Sequence, residues 1–240
     1  MEVYFIRHGQ SANNFIESAP PGSAAAQSNR HQDPELTDRG QRQAECAARY
    51  LAQGGHLYPD ELAAGGPFLD RLYCSPMIRA LHTAQYLGQA LGLRPQVWVE
   101  IHEMGGVYLD QDGGRVGFPG LRASQIRARF PEAQVPPQIT EEGWWRGGFE
   151  QAHQGKGRAI GAARQLRNLA GEGGRVGLVS HGDFLNSLLK ALENQLPGEA
   201  TYWEHRNTGI TRLDFEPGGR MVLKYLNRVE HLSAELLTRG

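Results

Sequence analysis

The chain has 240 residues, a formal net charge of −1, 40% hydrophobic residues and 21% charged residues. A chain of this size can bury a good core, and its near-neutral balance gives no global attraction to nucleic acid or to an acidic membrane surface. Two cysteines, Cys46 and Cys74, are too few for a disulfide scaffold or a four-ligand zinc site, and both are expected to stay reduced. No apolar run approaches the ~20 residues that span a bilayer. The first residues enter a strand without a basic stretch and apolar core of the signal-peptide kind. The expectation is a cytoplasmic protein.

In chain order, Val3-Tyr4-Phe5-Ile6 is an apolar run without alternation, which suits a strand buried on both faces. It stops at Arg7-His8-Gly9: a fixed cation, a nucleophile or base, and a glycine that permits close backbone approach. From Ala12 to Pro34 the chain is rich in Ser, Ala, Asn, Gly and Pro, which predicts a long mobile loop placed to frame a substrate. Thr37 caps a predicted helix through Ala44, Ala47, Tyr50 and Leu51. Arg71–Cys74 is a second strand. Ser75-Pro76 predicts a helix start, with Ser75 as cap, Arg79 in the first turn and Gly92 at the end. Val97-Trp98-Val99 is a third strand, followed by Glu100 and Glu103.

Residues from about 107 to 150 lose periodicity, with glycines and prolines throughout and one helical piece over Leu121–Phe130. They read as an insertion over the sheet edge in a single domain spanning 1–240, because their apolar content is thin for a separate core. Trp144, Trp145, Arg146 and Phe149 either form a lid or pack the insertion down. Phe149–Ala170 is helical, Val176–Val179 a fourth strand, and Asp183–Leu192 a helix. Residues 209–215 and 221–225 flank Pro217-Gly218-Gly219 as an antiparallel hairpin. Strands alternating with helices imply a three-layer α/β/α fold, with a mainly parallel central sheet covered on both faces.

The device of a strand ending in X-His-Gly occurs twice, at Arg7-His8-Gly9 and Ser180-His181-Gly182. A doubly wound sheet brings such strand ends to one rim. Arg7, His8, Arg79, His181 and the N–H groups of a helix start together suit a compact, multiply charged anion such as phosphate. Gly155-Lys156-Gly157 lacks P-loop spacing and reads as a solvated turn, and no His-Glu-x-x-His pair is present to hold zinc. Nothing in the chain asks for a metal or a cofactor.

These residues resemble the histidine phosphatase superfamily, the phosphoglycerate mutase-like proteins. The resemblance rests on Arg7-His8-Gly9-Gln10-Ser11, Leu36-Thr37-Asp38-Arg39-Gly40, the run from Cys74-Ser75-Pro76 through Arg79 to Ala84, Glu103, and Val179-Ser180-His181-Gly182. It implies a phosphoglycerate mutase-like fold and a phosphohistidine formed on His8, with Arg7, Arg79 and His181 clamping the phosphoryl oxygens. Asn14, Gly182 and, more weakly, Ser11 are implied contacts to the phosphate. Glu103 is the implied general acid/base, with Glu100 as the alternative. Asn207, before Thr208-Gly209, reads as a turn residue, with a contact to the rim from a strand start as the alternative. The expected partner is a small phosphorylated substrate. Hydrolysis is favoured over mutase-type transfer by the long 12–34 loop and by the departure around Glu103 from the glycolytic mutase pattern, and a phospho-ligand binder without chemistry is a further alternative.

Overall fold

The computed structural model describes residues 1–26, 29–66, 68–196 and 198–238. Its centre is a six-stranded sheet, in the order β3-β2-β6-β1-β7-β8. The strands are β1 (Glu2–Arg7), β2 (Arg71–Cys74), β3 (Gln96–Val97), β6 (Arg175–Ser180), β7 (Ile210–Phe215) and β8 (Met221–Arg228); β4 and β5 form the separate hairpin described below. The first four in spatial order are parallel, while β7 and β8 run antiparallel as the expected hairpin.

The uninterrupted apolar run in β1 is explained by its central place. Tyr4 and Ile6 join a core with helices α2 (Asp38–Ala52) and α4 (Ile78–Leu91), whereas Val3 and Phe5 join one with α6 (Ala152–Leu169) and α7 (Gly182–Leu192). Alternate side chains therefore serve opposite layers. Helix α2, the first long helix after β1, and α7, which follows β6, pack on opposite faces, although the two strands are neighbours. Such a reversal opens a crevice at the carboxyl ends of the strands.

Several expectations need correction. The predicted mobile loop begins with a helix, α1 (Ala12–Ser18), because Ser11 caps Asn14 N–H while the Asn14 side chain returns to Ser11 N–H. Two residues of that stretch, Gln27 and Ser28, lie outside the described residues. Ser75 caps no helix: α4 starts at Ile78 after Met77. The third strand covers only Gln96–Val97, and Val99–Ile101 is a 3-10 turn. A short helix, α3 (Pro59–Ala63), was not anticipated.

The 107–150 region holds an unpredicted hairpin, β4 (Tyr108–Gln111) with β5 (Gly114–Gly117), and a helix α5 (Ala123–Arg129). Its Val107, Ile126, Phe130, Ile139 and Trp144 are buried in the same core as Tyr4 and Leu81. Gly155-Lys156-Gly157 lies inside α6 rather than in a turn. Among the described residues no helix is long and apolar enough to cross a membrane.

Candidate active site

β1 and β6 pair in register up to Arg7 and Ser180, and His8 N–H continues the ladder to Ser180 O at 3.0 Å. That register delivers His8 and His181 side by side, with ring centroids 5.0 Å apart. The chain then turns tightly. A Cβ on Gly9 would lie 2.4 Å from Gly40 O, so only glycine lets this backbone meet the start of α2. Gly9 N–H donates to Thr83 Oγ1 of α4, tying the same loop to the helix that carries Arg79.

The protonation of His8 follows from its partners. Its Nδ1 is 2.6 Å from Gly9 O, and a carbonyl can only accept, so Nδ1 carries the hydrogen. Arg79 Nε, which can only donate, lies 3.1 Å from His8 Nε2, so that nitrogen presents its lone pair. Burial, then the charges of Arg79 and Arg7, hold His8 well below the usual imidazole range. The ring is neutral, in one tautomer, and turns its Nε2 to Arg79.

His181 is fully covered and stands beside His8 without lining the cleft above it. Its Nε2 meets Ser75 Oγ at 2.7 Å, while Nδ1 is buried without a hydrogen-bond partner. Burial and Arg79 push its pKa down as well. Arg7 Nη1 donates to His205 O at 2.6 Å. Gly182, the first residue of α7, sits so close to Arg7 that a Cβ there would be 3.3 Å from its Cζ.

A cleft of about 360 Å³ lies over His8, lined by Arg7, His8, Asn14, Arg79, Glu103 and Gly182 among others. Glu103 Oε1 accepts from Met104 N–H and from Phe184 N–H at the start of α7, each at 2.9 Å. Its pKa is raised to about 7, first by burial and then by Asp183, against the pull of Arg79 and Arg7. Glu100 is not among the cleft residues. The Asn14 side-chain oxygen is taken by Ser11 and by Asn207 Nδ2, which leaves its amide nitrogen for the cleft. The Ser11 hydroxyl is occupied in the cap of α1.

Asn207 takes the role given as the alternative, while Gln43 and Arg158 carried no sequence signal. Asn207 is more than a turn residue: buried, it donates to His8 O at 3.1 Å and accepts from Thr238 Oγ1 at 2.8 Å. Gln43 accepts Gln10 N–H and donates to Leu236 O and Thr238 Oγ1, so the last described residues brace the loop after β1. Arg158 donates to the carbonyls of Glu100 and His102, each at 2.7 Å, and to both oxygens of Glu150. This buttress fixes the segment that carries Glu103.

Trp144 and Trp145 flank the His102 ring at 5.1 and 4.9 Å, so they pack the insertion against that segment. Neither they nor Arg146 and Phe149 line the cleft, to which the insertion contributes Tyr108. Asp33, Asp183 and Tyr202 also stand at or near the rim, with Tyr202 Oη donating to Asp183 at 2.7 Å. Among the described residues no group of three or more His, Cys, Asp or Glu is arranged to hold a metal ion. The donor set is cationic and suits an anion.

The sequence matches the family model of the histidine phosphatase superfamily (branch 1) over residues 3–228. It is 27% identical over 200 residues to a 2,3-bisphosphoglycerate-dependent phosphoglycerate mutase from Methylobacterium radiotolerans, covering 80% of this chain and 78% of that one. It is 34% identical over 112 residues to a PE-PGRS family protein of Mycobacterium tuberculosis, 45% of this chain but only 15% of that protein's length. A phosphoserine phosphatase variant from Entamoeba histolytica, crystallised with phosphoserine, superposes with a TM-score of 0.60 at 22% identity, covering 97% of this chain and 99% of that one. The structural likeness is one of fold.

Proposed function

The chain belongs to the histidine phosphatase superfamily, and we propose that it is a metal-independent phosphomonoester hydrolase acting through a phosphohistidine on His8. The observation that supports this most is the His8 ring. It is neutral, its Nε2 lone pair faces Arg79, and the opposite nitrogen is fixed by Gly9 O.

In the first step His8 Nε2 attacks phosphorus and the bond to the leaving oxygen breaks. Glu103, protonated in good part near neutrality because its pKa is about 7, gives that oxygen its proton. In the second step the Glu103 carboxylate takes a proton from water, the water oxygen attacks phosphorus, and the P–N bond breaks. Ester and water become alcohol and phosphate, and the site returns to its starting state. Arg7, Arg79 and the Gly182 end of α7 hold the equatorial oxygens, which supplies the positive charge a metal would otherwise bring. His181, neutral in the free site, becomes the better proton holder once a phosphate dianion arrives beside it.

Relatives named as phosphatase and as mutase share the fold, and one argument for hydrolysis, the mobile 12–34 loop, is weakened by helix α1. The cleft is lined by polar and charged side chains, Asn13, Glu17, Arg30 and Asp183 among them, which suits a water molecule as acceptor and supports hydrolysis of the intermediate. The test is phosphate release from a panel of phosphomonoesters by wild type and His8→Ala. Wild type should turn over and retain acid-labile phosphate, and the variant should do neither. Equal activity of the two proteins sinks the assignment. Isomerisation of phosphoglycerate by wild type would select the mutase reading, and phosphate-ester binding without turnover the non-catalytic one.

A further inference from the structure

Asp33 lies in the stretch that composition alone reads as loop, yet its side chain is only 8% exposed. Its Oδ1 accepts Ile78 N–H at 3.1 Å and stands 3.6 Å from Arg79 Nη1, while Oδ2 is buried without a hydrogen-bond partner. Burial raises its pKa to about 6, although Arg79 and Ile78 N–H pull the other way. Capping the Ile78 N–H needs no charge, since Asn, Ser or Thr does it without desolvating an anion. The charge is what calls for an explanation, and it faces Arg79.

A guanidinium has two usable edges. The Nε–H and one Nη2–H point the same way and can hold two oxygens at once, while Nη1 lies on the far side. Arg79 Nε is already directed at His8 Nε2, at 3.1 Å. We propose that Asp33 is a positioning residue for Arg79, engaging Nη1 so that the Nε–Nη2 edge is presented to the phosphoryl group on His8. When the phosphoryl group arrives, Nε passes from the ring nitrogen to a phosphoryl oxygen while the Nη1 anchor stays in place.

The anchor is itself held. Pro34 restricts the Asp33 backbone to extended conformations. Glu35 pairs with Arg129 of α5 at 2.6 Å and stands 3.2 Å from His82 Nδ1 of α4, and its carbonyl accepts Ala12 N–H. Thr37 then caps α2. Three helices and the loop after β1 therefore fix where the carboxylate stands.

This inference uses the phosphatase reading only for what Arg79 is positioned to do, so its test has two readouts. The first is a double-mutant cycle on kcat/KM for p-nitrophenyl phosphate. Asp33→Asn should cost on the order of tenfold in the wild-type background and less than about twofold when Arg79 is already Ala. A residue that only caps α4 would cost the same in both. The second is heteronuclear NMR of the Arg79 guanidinium, assigned by its loss in Arg79→Ala. Nη1 and Nη2 should be distinct in wild type and averaged by rotation in Asp33→Asn.

Equal costs in the two backgrounds, or Arg79 signals unchanged by Asp33→Asn, overturn the proposal. If wild type turns over no phosphomonoester, the proposed function falls, and the guanidinium signals still decide the role of Asp33. Should Asp33→Asn fail to fold, Asp33→Ser takes its place, since its hydroxyl can still accept Ile78 N–H.

Discussion

The two ends of the sheet each bury arginine, and they treat it in opposite ways. At the amino end of β1, Arg212 is 1% exposed and donates to both oxygens of Glu61 at 2.6 Å and both of Asp214 at 2.7 and 3.0 Å. Glu2 lies 3.3 Å away, and Tyr4 and Tyr58 cover the guanidinium. At the carboxyl end, Arg7 has a backbone carbonyl and Arg79 has an imidazole nitrogen and one carboxylate at 3.6 Å. A buried guanidinium with carboxylates in excess is a fastening of the fold. One that faces carbonyls and imidazoles has an unmet demand for an anion, which a phosphate can satisfy.

Substitutions at the two ends should therefore fail in different currencies. Arg79→Ala is expected to lower kcat for phosphate release by on the order of 10²–10³ with little change in melting temperature. Arg212→Met should do the reverse. It strips Glu61 and Asp214 of their guanidinium, while Glu2 keeps Arg175, and should remove about 3 kcal/mol of stability in urea titrations, leaving kcat per folded molecule within about twofold. Exchanged phenotypes would erase the distinction.

Acid should sharpen it. Arg212 hydrogen bonds hold Glu61 down to a pKa of about 2, against burial. Its stabilising contribution is complete above the ordinary glutamate pKa and is lost as pH falls towards about 2. Discounted for its partly wetted position, it is on the order of 1–2 kcal/mol, and Glu61→Gln should flatten that part of a stability-against-pH curve. The smallest effect concerns the rate profile. Glu103 must be protonated to serve the leaving group, so the phosphorylation step should slow as pH rises through about 7. Asp183 helps to raise that pKa, so Asp183→Asn should move the basic limb of the pH–rate profile to lower pH; an unmoved limb would count against Glu103 as the acid.

The sequence displays the parts of this site that are local and hides those that are partnerships. Arg7-His8-Gly9 and Ser180-His181-Gly182 are legible because each follows an apolar strand, and strand ends in such sheets meet at one rim. The Thr37 cap and the Gly92 stop are equally local. The capping box at Ser11 and Asn14 was written in the sequence too, but seven helical residues amid Pro and Gly carry little periodic signal. Asp112-Gly113 between β4 and β5 is a strong hairpin signal overlooked among the surrounding glycines. Ser75-Pro76 misled because the helix-start rule knows nothing of His181, which takes the serine hydroxyl. Asp33 and Arg158 could not be read at all, and Asn207 only as the alternative to a turn, since each acts on a residue far along the chain that only the tertiary fold brings near.

One of those distant partnerships bears on how the protein is made. Gln43, which receives Gln10 N–H just beyond His8, is held in turn by Leu236 O and by Thr238 Oγ1, and the latter lies 195 positions further on. Thr238 also holds Asn207, whose amide supports His8 O. A ribosome working at 5–20 residues per second needs roughly 10–40 s to travel from one partner to the other. Until Thr238 has been added, the loop that begins at His8 lacks this brace.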